Sequence, residues 1–132
     1  MAYVVLDTDV CSFLFRRDER AERYRPHLLG QTLCLSFQTV AELCQGAEMA
    51  RWGEDRQAKL EEWLQTFVIL PYDNETARAW ARIRAERKRT PIAPQDAWIA
   101  ACAIRHKCPL ITHNASDYAD ISGLVILTEP EV

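Results

Sequence analysis

Tyr3-Val4-Val5-Leu6-Asp7-Thr8-Asp9 is the stretch that decides how this 132-residue chain folds. An aromatic, two β-branched residues and a leucine in a row read as a short buried strand, and the Asp-Thr-Asp that follows reads as the turn leaving it. The same pattern recurs along the chain. Leu33 to Phe37 (LCLSF), Phe67 to Leu70 (FVIL), Pro109 to Thr112 (PLIT) and Leu124 to Leu127 (LVIL) are the other strand candidates. Between them lie stretches of helical period: Val10 to Phe15, a charged segment from Arg16 to Arg25 that Pro26 interrupts, Thr39 to Trp52, about Asp55 to Thr66, Glu75 to Arg89, and Pro94 to about His106. Pro94 suits a first helical position, where its missing N–H is harmless. Ala97, Ala100, Ala101 and Ala103 give that helix a small-residue face able to lie close to a sheet. A short turn or helix is expected around Ser116 to Ala119. Strands alternating with helices imply a parallel sheet covered on both faces and joined by right-handed crossovers. The expected fold class is α/β, a single-domain α/β/α sandwich over residues 1–132 with a mostly parallel sheet of four to five strands.

A chain of this length can bury about two-thirds of its unfolded surface in one core. No apolar run approaches the roughly 18 residues a membrane span needs, and no basic segment precedes Val4 to Leu6 as it would in a signal peptide. Five cysteines, Cys11, Cys34, Cys44, Cys102 and Cys108, form no CxxC pair and read as small buried hydrophobes. These features point to a soluble protein of the reducing cytoplasm, with no membrane partner. A formal charge of −3 argues against an overall electrostatic grip on nucleic acid, so local charge is what matters.

Four acids follow apolar runs at expected strand-to-helix junctions: Asp7, Glu42, Asp96 and Asp117. In a parallel sheet such junctions share one edge, outside the carboxyl ends of the strands, where α/β folds place their functional crevice. Carboxylates gathered there repel one another and raise each other's pKa, so a hard divalent cation is the simplest reason to gather them. Each acid also has a local explanation. Thr39-x-x-Glu42 has the form of a capping box, Asp96 just inside Pro94 suits a helix dipole, Asn114-x-x-Asp117 resembles a capped turn, and Asp7 could close an Asx-turn. Capping does not require that the acids follow separate strands at one sheet edge, whereas a metal site does. Asp9 reads equally as a metal companion of Asp7 or as the N-cap of a helix starting near Val10. Thr8, Thr112 and Asn114 add short polar groups at the same edge. His113 reads as a solvated turn residue, and His27 and His106 carry less context still. Arg78, Arg82, Arg84, Arg87, Lys88 and Arg89 share one expected helix, whose basic end reads as a dipole complement or as an RNA contact. Trp52, Trp63, Trp80 and Trp98 read as core rather than as stacking platforms.

Taken in order and spacing, Val4 to Asp9, Thr39-Val40-Ala41-Glu42-Leu43 with Gly46, Asp96-Ala97-Trp98-Ile99-Ala100-Ala101, and Thr112 to Tyr118 resemble the motifs of PIN-domain ribonucleases. Among these the chain looks most like the VapC toxins of bacterial toxin–antitoxin pairs, over essentially its whole length. The resemblance implies a PIN-like fold and Asp7, Glu42, Asp96 and Asp117 as catalytic carboxylates that hold Mg²⁺ or Mn²⁺. Thr8, Asp9, Thr112 and Asn114 would be their helpers. It further implies hydrolysis of RNA phosphodiesters in tRNA, rRNA or mRNA, a homodimer, and a VapB-like antitoxin. Gln95 stands before Asp96, and the family often places further polar or acidic residues nearby, which leaves the number of metals open. Two rivals remain at this point: a haloacid-dehalogenase-like phosphatase with Asp7 as nucleophile and Asp9 as acid, and a non-catalytic PIN-like module that binds RNA or protein.

Overall fold

In the computed structural model residues 2–129 are described, so positions 1 and 130–132 of the expected domain lie outside the described residues. The elements run β1 (Tyr3–Leu6), α1 (Thr8–Phe15), α2 (Ala21–Leu28), β2 (Thr32–Ser36), α3 (Phe37–Met49), α4 (Glu54–Leu64), β3 (Val68–Leu70), α5 (Asn74–Glu86), α6 (Pro94–Arg105), β4 (Leu110–Ile111), a 3₁₀ turn (Ala115–Tyr118) and β5 (Ile126–Leu127). The strands form one sheet in the order β3-β2-β1-β4-β5, and each adjacent pair is parallel. This is the expected architecture with five strands.

The period-2 alternation of β1 assigns its two faces. Val5, with Cys34 and Leu110, packs under Ile83 of α5 and Ala97, Ala100, Ala101 and Ala103 of α6. Val4 and Leu6, with Leu35 and Ile111, pack on the other face against Val10, Tyr24, Ala47, Leu60 and Leu64. β1 is therefore buried on both sides, as a central parallel strand must be. The four alanines of α6 are fully buried, and their small side chains give that helix a close seat on the sheet.

Boundaries differ from the sequence expectation where side chains compete for the backbone. Ser36 accepts from Gln38 N at 2.9 Å, so β2 ends there and Phe37 opens α3 instead of closing the strand. Helix α2 runs through Pro26 to Leu28 rather than stopping before it. Tyr24 is fully buried and anchors that helix against the core despite the lost N–H at Pro26. Asp73 caps α5 through Thr76 N at 2.9 Å, and α5 ends at Glu86, so Arg87 is its C-cap and Lys88 and Arg89 lie beyond it. Three of the cysteines are fully buried as expected, but Cys44 is exposed. Among the described residues no helix is long and apolar enough to cross a membrane.

The tight fit of α6 makes it sensitive to added volume. Replacing Ala100 by Leu should destabilise the fold by about 1–3 kcal/mol through overpacking. Urea denaturation, with the midpoint falling and the slope unchanged, measures this.

Candidate active site

The chain lays down β1, β2 and β3 outward in one direction, then returns to place β4 on the other side of β1. The carboxyl ends of β1 and β4 therefore flank the point where strand order reverses, the usual crevice of an open α/β sheet. Leu6 pairs with Ile111, which brings the next residues, Asp7 and Thr112, side by side.

Asp7 is held on every side. Its N–H donates to Ile111 O at 2.8 Å, its Oδ1 accepts from Thr8 N at 2.7 Å, and its Oδ2 accepts from the Thr112 hydroxyl at 2.7 Å. Only 6% of it is exposed. Asn114 N donates in turn to Thr112 Oγ1 at 3.1 Å, while the Asn114 amide donates to Asp9 Oδ2 at 2.8 Å. Asp9 Oδ2 also accepts from His113 N at 3.1 Å, and Asp9 Oδ1 accepts from Val10 N at 2.6 Å. Asp7, Thr112, Asn114 and Asp9 thus close a network between the ends of β1 and β4. The Thr8 hydroxyl donates to buried Thr39 at 3.1 Å, linking α1 to α3.

Asp96 lies in the first turn of α6. The hydroxyl of Tyr118, a buried residue, donates to Asp96 Oδ1 at 3.4 Å. Glu42 is half-buried on α3 and accepts from the Gln38 amide at 3.2 Å. Asp117 is exposed in the 3₁₀ turn. Its main chain is fixed by its own N–H on Asn114 O at 3.0 Å and by Arg87, whose Nη1 donates to Asp117 O at 2.9 Å and Ala119 O at 3.2 Å.

Burial pushes Asp7 up to about 7, with the Asp9 and Asp96 charges adding to it and the Thr112 and Thr8 hydrogen bonds opposing it. Asp96 is raised by burial first and then by the Asp117 and Glu42 charges. Asp9 is raised chiefly by burial, against its backbone hydrogen bonds. The Tyr118 hydroxyl is raised by burial and by the charges of Asp7 and Asp96, so it stays protonated as a donor. Asp7, Asp9 and Thr112–Asn114 are joined by direct bonds, Asp96 through Tyr118, and Glu42 and Asp117 by their charges on Asp96. Among the described residues, the leading charges acting on Asp7 and Asp96 are those of other acids. Such a donor set of hard, mutually repelling oxygens suits a hard divalent cation. The arrangement is open: among the described residues no three acidic, histidine or cysteine side chains stand together in ligating geometry.

Several local expectations are corrected here. The N-cap of α1 is Asp7, not Asp9. Ser36 caps α3, so Thr39-x-x-Glu42 is no capping box. Asn114 bonds Asp9 instead of capping the 3₁₀ turn. His113 is half-buried and engaged rather than simply solvated: its Nδ1 meets Tyr24 Oη at 2.5 Å and its ring lies edge-on to Phe13 at 5.2 Å. Arg87 is committed to the Asp117 turn. Trp52, Trp63 and Trp80 pack against the core as expected, whereas Trp98 belongs to neither core cluster and stacks between Tyr72 and Trp80. Tyr118 was missed as a site residue, because a tyrosine after an acid carries no signal until Asp96 is brought to it.

The PIN domain family matches residues 4–124 of this chain. A tRNA(fMet)-specific endonuclease VapC from Salmonella typhimurium strain LT2 is 33% identical over 96% of this chain and 97% of its own. The enzyme of the same name from Shigella flexneri is 31% identical over 94% and 96%. Among solved structures, DNA-bound VapBC from Salmonella typhimurium superposes with a TM-score of 0.84 at 30% identity, covering 97% of this chain and 98% of that one. The chain belongs to the PIN-domain family, and within it to the VapC-type ribonucleases of toxin–antitoxin systems. The haloacid-dehalogenase-like alternative falls with that membership, and both oxygens of Asp9 are already bonded within the loop network.

The raised pKa of Asp7 has a stability consequence of definite sign. The folded state holds this proton more tightly than the unfolded chain, whose aspartate titrates near 3.8. The associated stability is complete below that value and is lost as pH rises through about 7. In EDTA, Asp7→Asn should therefore be more stable than the parent at pH 8, by up to about 4 kcal/mol, and melt at a higher temperature. That gap should close as pH falls toward 4, as a thermal melt series across pH would read.

Proposed function

We propose that the protein is an endoribonuclease that hydrolyses RNA phosphodiester bonds with Mg²⁺ or Mn²⁺, held by Asp7, Glu42, Asp96 and Asp117. The observation that carries the reading is Asp7, a buried carboxylate fixed by Thr8 N and the Thr112 hydroxyl at the point where strand order reverses, with further acids loading it electrostatically. The chemistry a bound cation supplies is Lewis-acid polarisation of the phosphodiester and acidification of water. The chain's own part is to orient and charge the centre. Thr112 and Thr8 fix the two oxygens of Asp7, leaving each a free lone-pair direction. Asp9 and Asn114 brace the loop after β4, and Arg87 holds the turn that presents Asp117. Tyr118 holds one oxygen of Asp96 through its hydroxyl. Thr8 ties α1 to the helix that carries Glu42.

The relatives named as tRNA(fMet)-specific support tRNA as the first substrate to test, and the VapBC complex supports a VapB-like antitoxin as the partner. The reading includes a homodimer and a cytoplasmic setting. A non-catalytic PIN-like module would not need the carboxylates intact, and their presence together favours the enzyme.

Purified protein should cut bulk tRNA with Mg²⁺ or Mn²⁺, stop in excess EDTA, and resume on adding back either metal. Asp7→Asn and Asp96→Asn should each lower kcat by on the order of 10²–10³. Cleavage by either variant at the parent rate would remove that residue from the centre.

A further inference from the structure

Beside the carboxylates runs a continuous strip of rings drawn from three helices and a loop. Trp80 of α5 stacks on Trp98 of α6 with centroids 4.9 Å apart and planes at 18°. Trp98 stacks on Tyr72 at 4.8 Å and 20°. Phe37, the first residue of α3, meets Tyr72 edge-on at 5.9 Å. Arg84 lies over the far face of the strip, its guanidinium 5.2 Å from the centroid of Trp80. Trp80 is fixed further by its indole N–H, which donates to Pro94 O at 3.1 Å.

Two features separate this strip from ordinary core. Its inner members are half-buried, whereas Phe37 at its end is 58% exposed. It also starts from the catalytic elements themselves. Trp98 is two residues beyond Asp96, Phe37 is five residues before Glu42, and the Tyr72 hydroxyl contacts Ser36 at 3.4 Å and feels the Glu42 charge. The rings behind Phe37 are braced in sequence, and Phe37 rests edge-on against the outermost of them with most of its surface free.

We propose that Phe37 is a substrate-positioning residue: it stacks on an unpaired RNA base next to the scissile phosphate, with Tyr72, Trp98 and Trp80 as its rigid backing. An unpaired nucleotide offers a π-face to a ring, and stacking on aromatics is how single strands are seated without base-specific hydrogen bonds. Half-buried Arg84 puts a positive charge at the far end of the strip, the sign an RNA strand favours, while Glu42 and Asp96 mark the side where the chain is cut. A second copy of this protein fits the strip less well. A stable interface covers about 800 Å² on each partner, and Phe37 is the strip's only large, mostly exposed apolar residue. The inference rests on the ribonuclease reading for the position of the cut, but base stacking can be tested without cleavage.

Phe37→Ala should raise KM for bulk tRNA about tenfold with kcat within about twofold of the parent, and Phe37→Trp should restore KM. On an Asp7→Asn background, an oligoribonucleotide carrying 2-aminopurine should lose fluorescence on binding, and Phe37→Ala should abolish that quench. An unchanged KM and quench in Phe37→Ala would overturn the proposal. So would a fall in kcat alone, or a drop in oligomeric mass by light scattering, which would assign the ring to an interface between copies. If the parent binds RNA with a Phe37-dependent quench but cuts no tRNA with either metal, the ribonuclease reading fails and the base seat stands.

Discussion

The hydrogen bond from the Thr112 hydroxyl to Asp7 Oδ2 joins the two strand ends between which the sheet reverses its order. Everything else at the site is arranged around it. The parallel pairing of Leu6 with Ile111 sets the two residues beside each other, and the α1 N-terminus takes the other oxygen of Asp7. Hydrogen bonds of this kind lower a carboxyl pKa, yet burial with neighbouring charge outweighs them and leaves Asp7 at about 7. The structure therefore fixes the position of the carboxylate firmly while leaving its charge unbalanced. That combination, rigid geometry with unmet charge, is what a centre recruiting a cation requires.

The fold was legible because its signals are local. Val4-Val5-Leu6 carries a double-faced strand, and the alanines of α6 announce close packing before any partner is known. The junction positions of Asp7 and Asp96 followed from strand-to-helix order alone. What the sequence could not disclose depends on partners far along the chain. His113 is made structural by Tyr24, 89 residues away, and Asp9 by His113 and Asn114, 104 and 105 residues away. In the sequence Arg87 is one of a row of cations; in the fold its Nε holds the nearby Thr90 carbonyl, and the approach of the Asp117 turn, 30 residues on, gives its Nη1 a distant one. Tyr24 carries α2 through a proline that local rules treat as a break.

Phe37 shows how much a single boundary residue can decide. Continued as a strand, it would have followed Leu35 onto the face that packs against Val10, Tyr24 and Leu60, where an aromatic has ample apolar company. Ser36 prevents this by taking extended backbone angles and turning its hydroxyl to Gln38 N, the geometry of a helix cap. The chain then leaves the sheet one residue early, and the ring emerges on the surface against Tyr72 rather than within the core. The same early start sets the rotational phase of α3, with Gln38 and Glu42 four residues apart and bonded on one face. One serine hydroxyl thus places an acid toward the carboxylate centre and an aromatic beside it, so the composition of this edge follows from capping chemistry rather than from hydrophobic pattern.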